Sequence, residues 1–357
     1  MSDKEYLIFL STFPSFGPVR TKLLLSYFET PENVWKASEK QLKEIGIKDV
    51  LRQKFIEHRT KFDGENYIQK LQKLEIKTIT IFDESYPENL KGISDAPYVL
   101  YVKGTLEKRD VRAVGVVGSR KMSSYGKDTC EILVRDLVHS GLTIVSGFAR
   151  GIDTTAHTIA LHNGGRTIAV MAGGLDQIYP PENMHMVKQV IEHGAFVSEY
   201  PLGYPYLPAS FPHRNRIISG LSKGVLIVEG QKKSGTIWTA THATNQNRTV
   251  FAIPGPITSF SSELPNALIK DGAIMVLSSE DITSELGVDA SPILQDTLFP
   301  DDPIELEIVE CLKLEPLHLD ELARISSISI SEISGKLTVM ELKGIVKHLG
   351  GGIYKKV

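Results

Sequence analysis

The residues best suited to chemistry in this chain sit in FPHRNRIISGLSKGVLIVEG, from Phe211 to Gly230. Arg214 and Arg216 flank Asn215, and a phenylalanine precedes them. Guanidinium groups make bidentate contacts with phosphate oxygens, and an aromatic face can stack on a base. Between Pro205 and Gly235 five lysines or arginines stand against one glutamate, in a chain of formal charge −3. The positive charge is therefore local, and a local field can serve an anionic ligand even when the whole protein is slightly acidic. Two other readings remain open. Phe211 could belong to the core, and Arg216 could salt-bridge internally to Glu229 or Asp153.

Four more loops carry the same kind of residue. VVGSRK places Gly118, Ser119 and Arg120 after one apolar run. IVSGFARGIDTTAH places Ser146, Gly147 and Arg150 ahead of a helix that begins near Asp153 or Thr154. VMAGGLDQIYPPEN contributes Gly173, Gly174 and Asp176, and VEGQKKSGTIWTA contributes Lys232, Lys233, Ser234, Gly235 and Thr236. Glycine lets backbone approach a ligand, and the free amides of a helix start favour phosphate oxygens. One such loop is often only turn geometry. Several on one edge, with arginines nearby, point to an anion-binding surface.

The familiar catalytic patterns are missing. No GxxxxGK[ST] appears, and no GxGxxG follows the first strand with an acidic residue about 20 positions on, so neither a P-loop nor a dinucleotide cofactor is expected. No HExxH or clustered His/Asp set suggests a metal. His157 and His213 have no obvious nucleophile to serve and read as structural histidines. Neither catalytic residue, cofactor nor metal is expected.

What must position these loops is a parallel sheet. AVGVV, LTIVS, TIAVMA, AFVSE, GVLIVE and TVFAIP are short apolar runs separated by helix-like stretches such as Tyr125 to His139 and Thr154 to His162. Continuous apolar strands with helical crossovers imply a sheet covered on both faces. The fold class is therefore α/β, an extended Rossmann-like doubly wound parallel sheet over residues 66–288, where ligands bind beyond the strands' carboxyl ends. Residues 1–65 read as a small helical domain with turns at FPSFGPVR and Ile45-Gly46. It suits either plain packing or a helix-hairpin-helix contact with a DNA phosphate. After a polar linker, residues 303–357 read as a winged helix, with Ser329 or Ser331 opening its second turn helix and Gly350 to Gly352 at the wing tip. Pro303 to Val357 holds eight acidic and seven basic residues, poor electrostatics for reading a duplex, so a protein-interaction or structural role is expected there.

The 357 residues, 41% hydrophobic and 23% charged, suit a globular protein of two or three domains. No run approaches a membrane span, and MSDKEYLIFLSTF has an acidic Asp3 and too short an apolar core for a signal peptide. Cys130 and Cys311 are too few and too far apart for a disulfide framework or zinc cluster. A cytoplasmic protein with no membrane partner is expected.

VVGSR (116–120), SGFARGIDTTAH (146–157), AGGLDQIYPPEN (172–183), SEYPLG (198–203), FPHRNRIISGLS (211–222), SGTIWTA (234–240) and VFAIPGPI (250–257) together resemble the signatures of the DNA processing protein A (DprA/Smf) family. The flanks resemble that family's helical N-terminal domain and C-terminal winged helix. The resemblance implies a non-catalytic protein that binds single-stranded DNA, assists RecA loading in natural transformation and recombination, and forms a homodimer. It also implies that Arg120, Phe211, Arg214, Asn215 and Arg216 line the DNA groove, with Gly118 and Ser119 in the same signature. Gly147, Arg150, Ser234, Gly235 and Thr236 would then shape its floor. Pro208 replaces a lysine common in relatives, Trp238 a smaller aliphatic, and SSELPNALI a more glycine-rich loop. The rival class is a nucleoside monophosphate hydrolase of the LOG or lysine-decarboxylase-like type. Its PGGxGTxxE signature needs a carboxylate where Thr239 stands, and a hydroxyl cannot replace that acid/base at neutral pH. A nucleotide-sensing regulator would need a basic reading helix, whereas Ser331 to Leu342 carries one lysine against two glutamates.

Overall fold

The computed structural model describes residues 1–288, 302–313, 315–326, 328–342 and 345–356. The chain divides into two compact units, Met1–Pro292 and Ile293–Val357. The first is built on a nine-stranded sheet. Its strands are β1 (Lys77–Thr80), β2 (Val99–Gly104), β3 (Ala113–Val117), β4 (Thr143–Ser146), β5 (Thr167–Val170), β6 (Gly194–Ser198), β7 (Gly224–Ile227), β8 (Thr249–Ala252) and β9 (Ile274–Met275). They lie in the order β1-β2-β6-β5-β4-β3-β7-β8-β9. From β6 through β9 every neighbouring pair is parallel, while β2 pairs antiparallel with β6 and β1 antiparallel with β2. All six apolar runs of the sequence are strands of the parallel portion. The antiparallel edge is a departure from a purely parallel sheet: KTIT is polar enough to read as a loop, yet it pairs in register with the apolar β2.

Both faces of the sheet are buried, as an apolar run without alternation requires. Val114 and Val116 of β3 pack with Leu133, Val134 and Leu137 of the Ser124–His139 helix. Ala113 and Val117 point the other way, toward Ile217, Ile218 and Leu221 of the Ser210–Leu221 helix. Chain direction across the sheet reverses at β3, with β4, β5 and β6 to one side and β7, β8 and β9 to the other. A crevice opens at such a switch point, just past the strand ends.

Six helices, from Asp3–Ser11 to Gly64–Lys73, precede the sheet. Their caps are legible: the Thr30 side chain accepts from Asn33 N at the start of Pro31–Lys36, and Gly46 has φ +82°. No separate core sets them apart at residue 65. Leu7, Leu10, Phe13 and Phe55 share one apolar cluster with Tyr101, Phe148 and Phe196 of the sheet region. The Ser11 and Tyr101 hydroxyls lie 2.6 Å apart, and Tyr67 Oη donates to Tyr101 Oη at 3.1 Å. Each fully buried Phe or Leu stabilises by about 1.5–3 kcal/mol, so residues 66–288 alone would expose a costly surface.

In the second unit the Pro303–Cys311, Leu319–Ser326 and Ile330–Leu342 helices accompany a three-stranded sheet, β10 (Leu317–His318), β11 (Val346–Gly350) and β12 (Ile353–Lys356). Ser329 Oγ accepts from Glu332 N at 3.3 Å, and Gly350, Gly351 and Gly352 all take positive φ at the β11–β12 tip. This is the expected winged helix. The Ile330–Leu342 helix carries Lys336 between Glu332 and Glu341, and that lysine pairs with Asp302.

Candidate functional site

The loops after β3, β4 and β7 and the start of the Ser210–Leu221 helix enclose an open cleft of about 670 Å³ at the switch point. On that helix Phe211, Arg214, Asn215 and Ile218 fall at i, i+3, i+4 and i+7, one face, and all of them line the cleft. Gly118, Ser119, Arg120 and Lys121 form one wall, and Ser234, Gly235 and Thr236 form another. Thr236 Oγ1 donates to Gly118 O at 3.3 Å, and Asn215 Nδ2 donates to Gly235 O at 3.4 Å, tying the three elements together. The Arg120 guanidinium is exposed and lies over the Phe211 ring, 5.2 Å from its centroid. Among the described lining residues Arg120, Lys121 and Arg214 are cationic and Asp153 alone is acidic.

Arg214 is the floor of this cleft and is not solvent-facing. It is only 3% exposed. Its Nη1 donates to Gly147 O at 2.6 Å and also to Val170 O. Gly147 makes this possible, because a Cβ there would stand 2.5 Å from the guanidinium. The Asp153 carboxylate accepts from Gly147 N at 3.2 Å and Ala149 N at 3.4 Å. Burial lowers Arg214 to about 10, against the pull of Asp153. Burial likewise raises the Asp153 carboxyl to about 6, opposed by Arg214 and the two backbone donors.

That shift sets a stability window. Native Asp153 keeps its proton up to about pH 6, whereas an unfolded aspartate loses it near ~3.9. Between those values the native state binds more protons, so this group's contribution to stability falls as pH rises. Asp153→Asn is expected to flatten the stability profile between about pH 4 and 6, by up to ~3 kcal/mol in denaturant titrations. A slope identical to that of the unsubstituted chain would show that Asp153 stays charged.

Two expected groove residues lie elsewhere. Arg216 is 1% exposed, with its Nη2 on the Glu199 carboxylate and its Nη1 donating to Asp95 O at 2.9 Å. Residues at i and i+2 of a helix do not share a face, so the turn that aims Arg214 at the cleft turns Arg216 away. Its partners are Glu199 and Asp95. Glu229 instead accepts from Ser123 N at 2.9 Å and Ser261 Oγ at 3.0 Å. Arg150 is exposed outside the cleft and pairs with Glu182 at 2.5 Å. His157 is fully buried, its Nδ1 2.6 Å from Thr167 Oγ1, and burial lowers it to about 3, as suits a structural histidine. Lys121, Asp153 and Gln231 line the cleft without having been singled out for it. Lys121 could have been found from its place beside the GSR loop, and Asp153 only from its folded neighbours.

A doubly wound sheet whose switch-point loops converge on a cleft with arginine, lysine and one aromatic ring defines a Rossmann-like protein with a cationic cleft. The chain belongs to the DNA processing protein A (DprA/Smf) family. The family model for DNA recombination-mediator protein A matches residues 77–287, and the DprA winged helix domain matches residues 288–352. The chain is 33% identical to Protein Smf of Synechocystis sp., across 99% of both chains. Its fold matches DNA processing protein A of Streptococcus pneumoniae with a TM-score of 0.70 at 35% identity, covering 79% of this chain and 97% of that one. DNA processing protein A of Helicobacter pylori, which has a single-stranded DNA binding mode, matches with a TM-score of 0.53 at 28% identity, covering 60% of this chain and 96% of that one.

Proposed function

We propose that this chain binds single-stranded DNA in the switch-point cleft, without catalysing a reaction on it, and hands the strand to RecA during recombination and transformation. The observation that carries the reading is the exposed Arg120 guanidinium stacked over Phe211 at the cleft mouth. A single strand offers phosphates and unstacked base faces together, and this pair meets both. Duplex DNA hides those faces, and the near-neutral reading helix of the winged unit offers no substitute. A homodimer fits the β9 edge, where Met275 and Leu277 are 46% and 73% exposed.

The hydrolase alternative lacks support in the cleft. Thr239 is 1% exposed where the acid/base would stand. Asp153, among the described residues the one carboxylate lining the cleft, is committed to two backbone N–H groups and to Arg214. Incubation with AMP is the direct check on that class.

The central test is fluorescence anisotropy with single-stranded and duplex oligonucleotides of one length over a salt series. Single-strand binding is expected to be the tighter. Its logarithm should fall by about 0.7 per tenfold rise in salt for each phosphate neutralised. Equal or tighter duplex binding would overturn the proposal. Acceleration of RecA assembly on the strand by the full chain tests the second half.

A further inference from the structure

Two sequence motifs take no part in the cleft: AGGLDQIYPPEN, after β5, and the SEYPLG stretch that leads from β6 toward the Ser210–Leu221 helix. The structure gives them a common product. Tyr206 lies against Gly173, where a Cβ would stand 2.9 Å from the ring, and its hydroxyl donates to Gln177 O at 2.6 Å. Tyr179 packs on Tyr206 with centroids 5.3 Å apart and planes tilted by 33°. Phe211, which lines the cleft, is 6.3 Å from Tyr206 and 6.1 Å from Tyr179. Tyr206 is half-buried against the core, while Tyr179 is 41% exposed and carries the set out to solvent. Arg150, left outside the cleft, is anchored to the same loop region through Glu182.

We infer that Tyr206 and Tyr179 form a second base-stacking station, which receives the DNA strand as it leaves the cleft over Phe211. The inference rests on the single-strand reading of the cleft and extends it. Arg120, Phe211, Tyr206 and Tyr179 make a continuous run of planar groups starting from the cleft mouth, with Tyr206 tilted by 38° to Phe211 and Tyr179 edge-on to Phe211 at 64°. Stacking tolerates any base, because every base has a π face. Tyr206 is held by its hydroxyl and by the glycine beneath it, so its ring is ordered before the strand arrives. The AGG turn thus serves the strand indirectly, by leaving room for a ring.

The test compares the full chain with Tyr179→Ala and Tyr179→Phe on oligodeoxythymidines of increasing length, and on abasic strands of the same lengths. Tyr179→Ala should weaken binding by about fivefold or more on long oligomers. It should leave the shortest binding oligomer, the salt slope and abasic strands unaffected. Tyr179→Phe should bind like the unsubstituted chain. Equal affinity of Tyr179→Ala at every length, while the unsubstituted chain binds, would overturn the second station and spare the cleft. A loss that persists on abasic strands would also overturn it, since no base is there to stack. If the unsubstituted chain binds no single strand at all, the cleft reading falls and this one falls with it.

Discussion

Arg120→Glu is expected to weaken single-strand binding by about 30- to 150-fold while leaving the fold intact. The side chain is exposed and, among the described residues, makes no ion pair, so the native structure loses little when it changes. The bound state loses a charge-assisted hydrogen bond to phosphate, worth about 1.5–3 kcal/mol, and gains a repulsion. It also loses the cation over the Phe211 ring. Arg120→Lys should fall between, keeping the charge without the planar fork. The salt slope of the glutamate variant should shrink by about 0.7 for each phosphate released. Anisotropy and a denaturant midpoint measured on the same preparation decide it. Unchanged affinity with an unchanged midpoint would remove Arg120 from the site.

Arg214→Ala should fail differently, by destabilising the protein before any question of affinity arises. Its guanidinium satisfies Gly147 O and Val170 O and faces the buried Asp153 carboxylate. Truncation leaves two carbonyls without a donor and a buried charge without a counterion. Breaking such a pair costs about 3–5 kcal/mol. A domain typically holds only about 5–15 kcal/mol in reserve, so the fall in denaturant midpoint should be large. Gly147→Ala should shift it in the same direction, because the new methyl would occupy the guanidinium's place. An Arg214→Ala protein of ordinary stability that no longer binds DNA would refute the floor assignment and make Arg214 a direct contact. The contrast between the two arginines is the informative result: the Arg120 variant is expected to lose affinity and the Arg214 variant stability.

Much of this was legible in the residues themselves. Six apolar runs without alternation had to be strands buried on both faces, and the glycine loops behind them had to gather at one edge. The Thr30, Ser329 and Gly350–Gly352 signals marked helix starts and the wing because capping and positive φ are local requirements. The spacing of Phe211, Arg214, Asn215 and Ile218 also held the cleft face, once the segment is taken as a helix. It was obscured because RNR reads as one basic cluster.

The sequence by itself determined six of the parallel strands, the loops that follow them and the family, since each depends on local pattern or on motif order. Tertiary structure alone decided what each cation does. Three arginines of similar context became an exposed cation over the Phe211 ring at Arg120, a buried brace at Arg214 and half of an internal ion pair at Arg216. Charge is written in the residue, but the burial and partners that give it a role come from segments distant in the chain. The same holds for residues 1–65, whose apolar face finds its cover on Tyr101, Phe148 and Phe196. No local pattern could tell a helical domain with its own core from one that shares a core, because hydrophobic burial is non-directional and is settled only by what packs against it.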